Sequence, residues 1–370
     1  MKSAAPRGPA SVIWPDADQS LLLHAALDDP PPAHFAFARW CRRRKNPQAC
    51  VDFASQRLLP MVYANLARGS PAFPHARYLR GLYRMAWRDS EAKLRGASQA
   101  AKILRDAAID VMVSKGGVTA SDYYVSAAER PSSDWDFYVP QNDLAKAIDL
   151  LLAADWTPAR VYRNLPVEDL ALFGLGLCMQ HPIHGEIDLH GRLLKDSADL
   201  RIEQTIRSCA RPFRLGTIDV LRPSPEHLLL HIIAHGVRPD VYATLRWITD
   251  AVAILRKDGV TFDWGMFWTL AAQAKLTARI AAGLDYLRDE FGIETPLGHI
   301  PRSRGLIERL EQRVFASPVS AMPNPRLFGI AVDLRRLDQR GWRRRYSWLI
   351  SNTQRIACQA YASLRTKLNR

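Results

Sequence analysis

In the run RPSSDWDFYVP, residues 130–140, Asp134 and Asp136 stand one residue apart among aromatic and β-branched neighbours. Side chains alternate along a strand, so both carboxylates leave one face while Trp135 and Phe137 leave the other. Two like charges about 7 Å apart repel each other, unless a cation between them turns repulsion into ligation. Hard divalent cations, Mg²⁺ or Mn²⁺, take such oxygens. A third acid, Asp188 in EIDLH, is flanked by Ile187 and Leu189 and completes a three-carboxylate cluster if its strand lies beside the first. Three acids can hold two metals, one activating an attacking hydroxyl and one accompanying a triphosphate.

A second stretch, VMVSKGGVTA at residues 111–120, ends an apolar run in two adjacent glycines. At a strand-to-helix turn, Gly116 and Gly117 let backbone N–H groups approach phosphate oxygens, and the helix beginning near Thr119 adds its dipole. Ser114 and Lys115 can add side-chain contacts to the same anion. A glycine pair alone is weak evidence. An apolar strand, a glycine pair, a D-x-D strand and then an apolar-Asp-apolar strand form a more specific order.

These residues need a scaffold. Residues 1–106 read as an N-terminal helical region, a lid or platform, with a proline-rich loop at DDPPPAHF. Residues 107–222 read as the core. A strand over IDVMVSKGG, a second over SDWDFYVP, a helix over QNDLAKAIDLLLAADW opened by an Asn or Asp cap, and a strand over GEIDLHG predict a small mixed sheet with helices packed on it. Residues 223–295 read as a C-terminal helical domain. It opens at PSPEHLLLHIIAHG, with Ser224 as cap and Pro225 in the first turn, and continues through RWITDAVAILRKDG and WGMFWTLAAQAKLTARIAAGLDYLRDEFG. Residues 296–370 read as a linker and a basic, helical tail. The fold class expected is α+β: a small mixed sheet between two helical regions.

Composition narrows the function classes. The chain of 370 residues is 48% hydrophobic, with a net charge of +14. Its five cysteines form no CxxC pair, which argues against a disulfide framework or a cysteine zinc site and toward a cytoplasmic protein. No stretch supplies the ~18–20 apolar residues of a membrane span. Residues 333–370 hold ten Lys/Arg and two Asp, with Arg343–Arg345 set among Trp342, Tyr346 and Trp348. Such a segment can contact nucleic acid or an anionic surface, or dock as an amphipathic helix on the body of the protein.

The ordered set resembles the nucleotidyltransferase superfamily that includes DNA polymerase beta. It is more closely similar to the bacterial uncharacterised nucleotidyltransferase family, in its Lys115-Gly116 turn, the strand from Arg130 to Asp136, Asp188-Leu189-His190, and PEHLLLH from Pro225 to His231. The likeness runs over roughly residues 50–260. It implies a polymerase beta-like fold, use of NTP and Mg²⁺, and metal-ligand roles for Asp134, Asp136 and Asp188. The expected activity is transfer of a nucleoside monophosphate from NTP to an acceptor hydroxyl with release of pyrophosphate. Ser114, Lys115, Gly116, Gly117 and Arg130 are expected at the nucleotide, and His190 and His231 at the acceptor or behind the metal. The acceptor, whether small molecule, protein or RNA, is not specified. The alternative is an inactive scaffold of the same fold that binds nucleic acid through its tail.

Plainer roles stand beside these. The aspartate pair can belong to a solvated edge strand, Asp188 can pair with Arg192 or a histidine, and Arg130 can bridge an aspartate rather than touch substrate. His227, His231 and His235 share one helical face, which can mimic a metal site, although hydrogen-bonded support of a polar site suits them better.

Overall fold

β-Branched and aromatic runs bounded by glycine and proline form the centre of the protein, as seen in a computed structural model that describes residues 13–44, 51–159, 176–194, 199–238 and 243–296, with 309, 311, 312 and 315. The strands are β1 Met112–Ser114, β2 Trp135–Tyr138, β3 Thr157–Pro158, β4 Leu177–His181, β5 Gly185–His190, β6 Arg211–Leu215 and β7 Ile218–Arg222. They make one seven-stranded mixed sheet in the order β3-β4-β5-β2-β1-β7-β6. β1 runs antiparallel to β2 and parallel to β7, and β2 runs parallel to β5. The short strands β1 and β2 sit in the middle, where both neighbours satisfy their backbone. Every residue of β1 and β2 is buried.

Helices cover the sheet and extend beyond it. The N-terminal set is α1 Ala17–Leu27, α2 Pro32–Arg43, α3 Phe53–Gln56, α4 Leu59–Gly69 and α5 Ala76–Asp106. Asp16 caps α1 in a reciprocal box with Gln19, and Asp52 caps α3. The 31-residue α5 presents Gly96, Ala97, Ala100, Ala101 and Leu104 as a buried stripe, and packs against β5, β6, β7 and the helix α7 Leu144–Leu152. Small residues on that stripe allow the close approach. Between β1 and β2 lies α6 Gly116–Asp122; α8 Leu200–Ser208 precedes β6. After the sheet come α9 Pro225–Gly236, α10 Arg246–Asp258, α11 Trp264–Gln273 and α12 Thr277–Phe291. α9 is apolar nearly all round, so it occupies the centre of this group, packed on α10, α11 and α12. Ser224 caps it through the His227 N–H, and Pro225 fills the first turn, as expected.

Four expectations need correction. The Asn or Asp cap before α7 does not form: a 3₁₀ turn, Gln141–Asp143, leads into the helix and Asp143 makes no side-chain cap bond. The helical stretch read from Trp264 onward is divided at Ala274–Leu276, where Lys275 takes φ 57°. Within the supposed linker, residues 309, 311, 312 and 315 are helical, with Glu311 buried on Arg279 at 2.7 Å and Phe315 buried too. The hairpin β6–β7 extends the sheet in a region that carried no strand expectation, turning through Gly216 at φ 61°. The basic tail, residues 333–370, lies outside the described residues, as do Cys50 and Cys358; Cys41, Cys178 and Cys209 are unpaired. No helix among the described residues is long and apolar enough to cross a membrane.

Candidate active site

Register assembles the floor of the site. Ser114 on β1 lies opposite Asp136 on β2, and Asp136 lies opposite Asp188 on β5, so the three side chains form one row on one face. One pleat further along, Tyr138 lies opposite His190 and their rings stack at 4.9 Å. Ligand atoms of Asp136, Asp188 and His190 all lie within 4.8 Å of one another. Asp136 is buried, and its Oδ1 accepts from Lys115 Nζ at 2.6 Å and stands 3.3 Å from His190 Nε2. Burial would raise the Asp136 pKa, yet the Lys115 charge and the His190 ring outweigh burial and hold it far below the usual carboxylate range. Asp188 goes the other way, raised by burial and by the charges of Asp134 and Asp136, with His190 and Lys115 opposing.

This donor set fits a hard divalent cation. Two carboxylates in register are joined by an imidazole, a lysine ammonium already sits where one carboxylate oxygen would meet a cation, and Asp188 lacks enough positive charge to stay an ordinary acid. Lys115 reaches Asp136 from an unfavourable backbone conformation, φ 51° and ψ −126°, at the turn into α6. A side chain there is strained, and such strain collects at functional positions.

The expected site residues separate into two groups. Asp136, Asp188, Lys115 and Gly116 line one cleft of about 400 Å³, together with Asp134 and Arg130. Asp134 precedes β2 rather than belonging to it; its Oδ1 accepts from Ser133 Oγ at 3.1 Å, and it is not a member of the converging cluster, where His190 stands third. Ser114 is fully buried, and its hydroxyl bonds His231 Nδ1 at 3.1 Å, tying β1 to α9. It therefore faces a helix rather than a phosphate. Gly117 is also turned from the cleft, since a Cβ there would strike the Trp135 ring at 2.1 Å; its missing side chain serves the packing of α6 on β2. Arg130 forks onto Asp250 through Nε and Nη2, at 3.0 and 2.6 Å, so the aspartate it bridges comes from α10 rather than from the metal cluster. Among the described residues, the α9 histidines form no converging metal group: His227 bonds Ser224, His231 bonds Ser114, and His235 lines the cleft.

The opposite wall was not foreseen. Arg57, at the end of α3, and Arg246, at the start of α10, line the cleft with Arg130 and Asp250. Arg57 Nη2 donates to Ser133 Oγ at 3.3 Å, and Arg246 Nη1 to the Pro131 carbonyl at 3.0 Å. Burial and the neighbouring Arg130 charge lower the Arg57 pKa to about 10; burial, Arg130 and Arg57 push Arg246 well below its normal value. Tyr124 donates to Asp250 at 2.9 Å, fixing the one carboxylate described between the guanidinium groups on α10. Nothing in a single sequence brings these arginines together, because each sits in an ordinary helical pattern far from the others.

No curated protein matches the chain. A solved structure, an antigenic nucleotidyltransferase-like protein from Paracoccidioides brasiliensis, is similar at 12% identity and a TM-score of 0.37, covering 57% of this chain and 97% of that one. The profile of the family described as "Uncharacterised nucleotidyltransferase" matches residues 46–292, a span that holds the whole sheet, the acidic cluster and the arginine wall. By that match over well more than half its length, the chain belongs to the uncharacterised nucleotidyltransferase family.

Proposed function

We propose that this protein transfers a nucleoside monophosphate from an NTP to an acceptor hydroxyl, with a divalent cation held by Asp136, Asp188 and His190 and with Asp134 at its margin. The observation that carries the reading is the in-register pair Asp136–Asp188 on the floor of a cleft, with a ring nitrogen of the buried His190 converging on both carboxylates. A bound Mg²⁺ supplies charge neutralisation on the phosphates and acidifies the acceptor hydroxyl. The acceptor oxygen forms a bond to the α-phosphorus while the bond from that phosphorus to the bridging oxygen breaks, and pyrophosphate leaves. Asp188 takes the hydroxyl proton. Lys115 balances Asp136 at 2.6 Å and, with a cation held by the carboxylates, would be free to turn to a phosphate oxygen. Position and charge compensation carry the rate.

Calorimetric titration of the four NTPs, with and without Mg²⁺, tests this on the wild-type chain and on Asp136→Asn/Asp188→Asn. Metal-dependent binding of an NTP that disappears in a folded double variant supports the reading and names the base. Equal binding by both proteins rejects it.

One observation favours a second reading. Lys115 already neutralises Asp136 at 2.6 Å, which is the arrangement expected if the chain has given up metal catalysis and keeps the fold as a scaffold. Lys115→Met separates the two: a transferase gains divalent-cation affinity when the competing ammonium is removed, and a scaffold binds no divalent cation in either form.

A further inference from the structure

We propose that Arg57, Arg130 and Arg246 form a polyphosphate site that takes the triphosphate chain of the substrate, a role first expected of the glycine turn and Ser114. The inference rests on the transferase reading for the identity of its ligand, but its geometry is separate from the acidic floor. Three guanidinium groups from distant parts of the chain converge on one cleft: Arg57 after α3, Arg130 in the segment before β2, and Arg246 at the start of α10. Asp250 is taken up by Arg130 and by the Tyr124 hydroxyl, while the hydrogen bonds of Arg57 and Arg246 go to neutral oxygens of Ser133 and Pro131.

Arg130 points most directly at a ligand. Its side chain is buried, its Nε and Nη2 are bonded to Asp250, and its Nη1 has no hydrogen-bond partner. That nitrogen lies beside Gly116, where an added Cβ would come within 2.5 Å of it, and both residues line the cleft. A buried, charged N–H without an acceptor is costly, and an anionic oxygen entering the cleft removes the cost. Arginine forks match phosphate oxygens in pairs, and the guanidinium groups of Arg57 and Arg246 beside the one open N–H of Arg130 call for more than one phosphate. The lowered pKa values of Arg57 and Arg246 are consistent with this: burial first, and the neighbouring guanidinium charge second, disfavour the charged forms beyond what Asp134 and Asp250 restore, and an entering anion would favour them. Ser114 cannot supply these contacts, because its hydroxyl is occupied by His231 of α9.

The test is calorimetry with inorganic tripolyphosphate in EDTA, on the full chain. Wild type should bind. Arg57→Gln, a partly exposed position whose replacement should fold, should bind about tenfold more weakly. Arg246→Lys, which keeps the charge and loses the fork, should fall between them. Asp136→Asn/Asp188→Asn should bind as well as wild type or better, and NTP should displace the tripolyphosphate. Equal affinity of folded Arg57→Gln and wild type, or tripolyphosphate that NTP does not displace, overturns the proposal. The two readings fail differently. Arginine-dependent tripolyphosphate binding without any metal-dependent NTP binding keeps the wall and removes the transferase. Nucleotidyl transfer with an unchanged KM for NTP in Arg57→Gln keeps the transferase and removes the wall.

Discussion

The floor and the wall of the cleft are both charged and both buried, yet they are held in opposite ways. On the floor, Asp136 is satisfied by Lys115 and His190, whereas Asp188 is left more basic than a carboxylate should be. On the wall, Arg130 is held by Asp250 with one buried N–H left open, whereas burial, together with neighbouring cations, lowers the pKa of Arg57 and Arg246 against the opposing pull of Asp134 and Asp250. Each side thus contains one completed ion pair that fixes geometry and a remainder that calls for a ligand of opposite sign. A metal–polyphosphate complex carries both signs, which is what the proposed reading asks of the cleft.

The largest effect expected is on catalysis. Asp136→Asn and Asp188→Asn should each lower nucleotidyl transfer by about a thousandfold or more, the scale found when a group that stabilises transition-state charge is removed. Their stabilities should diverge. In EDTA, Asp136→Asn strands the Lys115 ammonium and should lose about 1–3 kcal/mol, while Asp188→Asn removes a strained charge and should melt at or above the wild-type temperature. Thermal melts with and without Mg²⁺ read both, and equal shifts in the two variants would remove the distinction drawn within the floor.

Next in size is the completed pair on the wall. Arg130–Asp250 is buried on both sides, at 7% and 2% exposure, so removing one partner leaves an uncompensated charge. Asp250→Asn should cost about 3–5 kcal/mol in denaturant unfolding. The exposed pair Arg214–Asp219 across β6–β7, with the same 2.6 Å contact but 60% and 79% exposure, should cost under about 1 kcal/mol when broken. The contrast tests whether burial, rather than contact length, sets the worth of an ion pair here.

Acid sharpens the floor further. The folded-state pKa of Asp136 lies below its unfolded value, so its contribution is complete above about pH 4 and is lost as pH falls toward the depressed value. The stability gap between wild type and Asp136→Asn, measured in EDTA, should therefore close as pH drops below about 4. Asp188 has the opposite sign: its folded pKa is raised, so it penalises the folded state as pH rises through the interval above about 4, and its Asn variant should gain on wild type over that range.

The floor was legible in the sequence because strand alternation is local. D-x-D and I-D-L state which way Asp136 and Asp188 point, and a parallel β2–β5 register brings them opposite each other. The same rule placed His190 on the face of Asp188, but gave no way to see that it, rather than Asp134, would close the group. Ser114 obeys the alternation too, and still misses the cleft, because what lies over its end of the row is α9 with His231. Gly117 shows why a glycine pair is ambiguous: Gly116 opens a wall of the cleft, and its neighbour makes room for Trp135. Of the wall, only Arg130 was expected at the nucleotide, from its place ahead of the D-x-D strand. Arg57, Arg130 and Arg246 meet only through tertiary packing of α3 and α10 on the segment before β2, and no periodicity encodes that meeting.

The smallest expected effect is on the stability of Arg57→Gln. The substitution gives up one hydrogen bond to Ser133 at 3.3 Å and a guanidinium placed 4.9 Å from the Phe53 ring centroid, which together are worth about 1 kcal/mol at a partly exposed site. It also removes a cation that Arg130 and Arg246 repel, a gain of similar size and opposite sign. The net change in unfolding free energy should stay within about 0.5 kcal/mol, the range of ordinary surface substitutions, even though tripolyphosphate binding falls about tenfold. A residue whose removal weakens a ligand and leaves the fold unmoved is placed for the ligand. Should the same variant instead unfold early, Arg57 would belong with Arg130 as a structural cation, and the wall would have no half waiting for an anion.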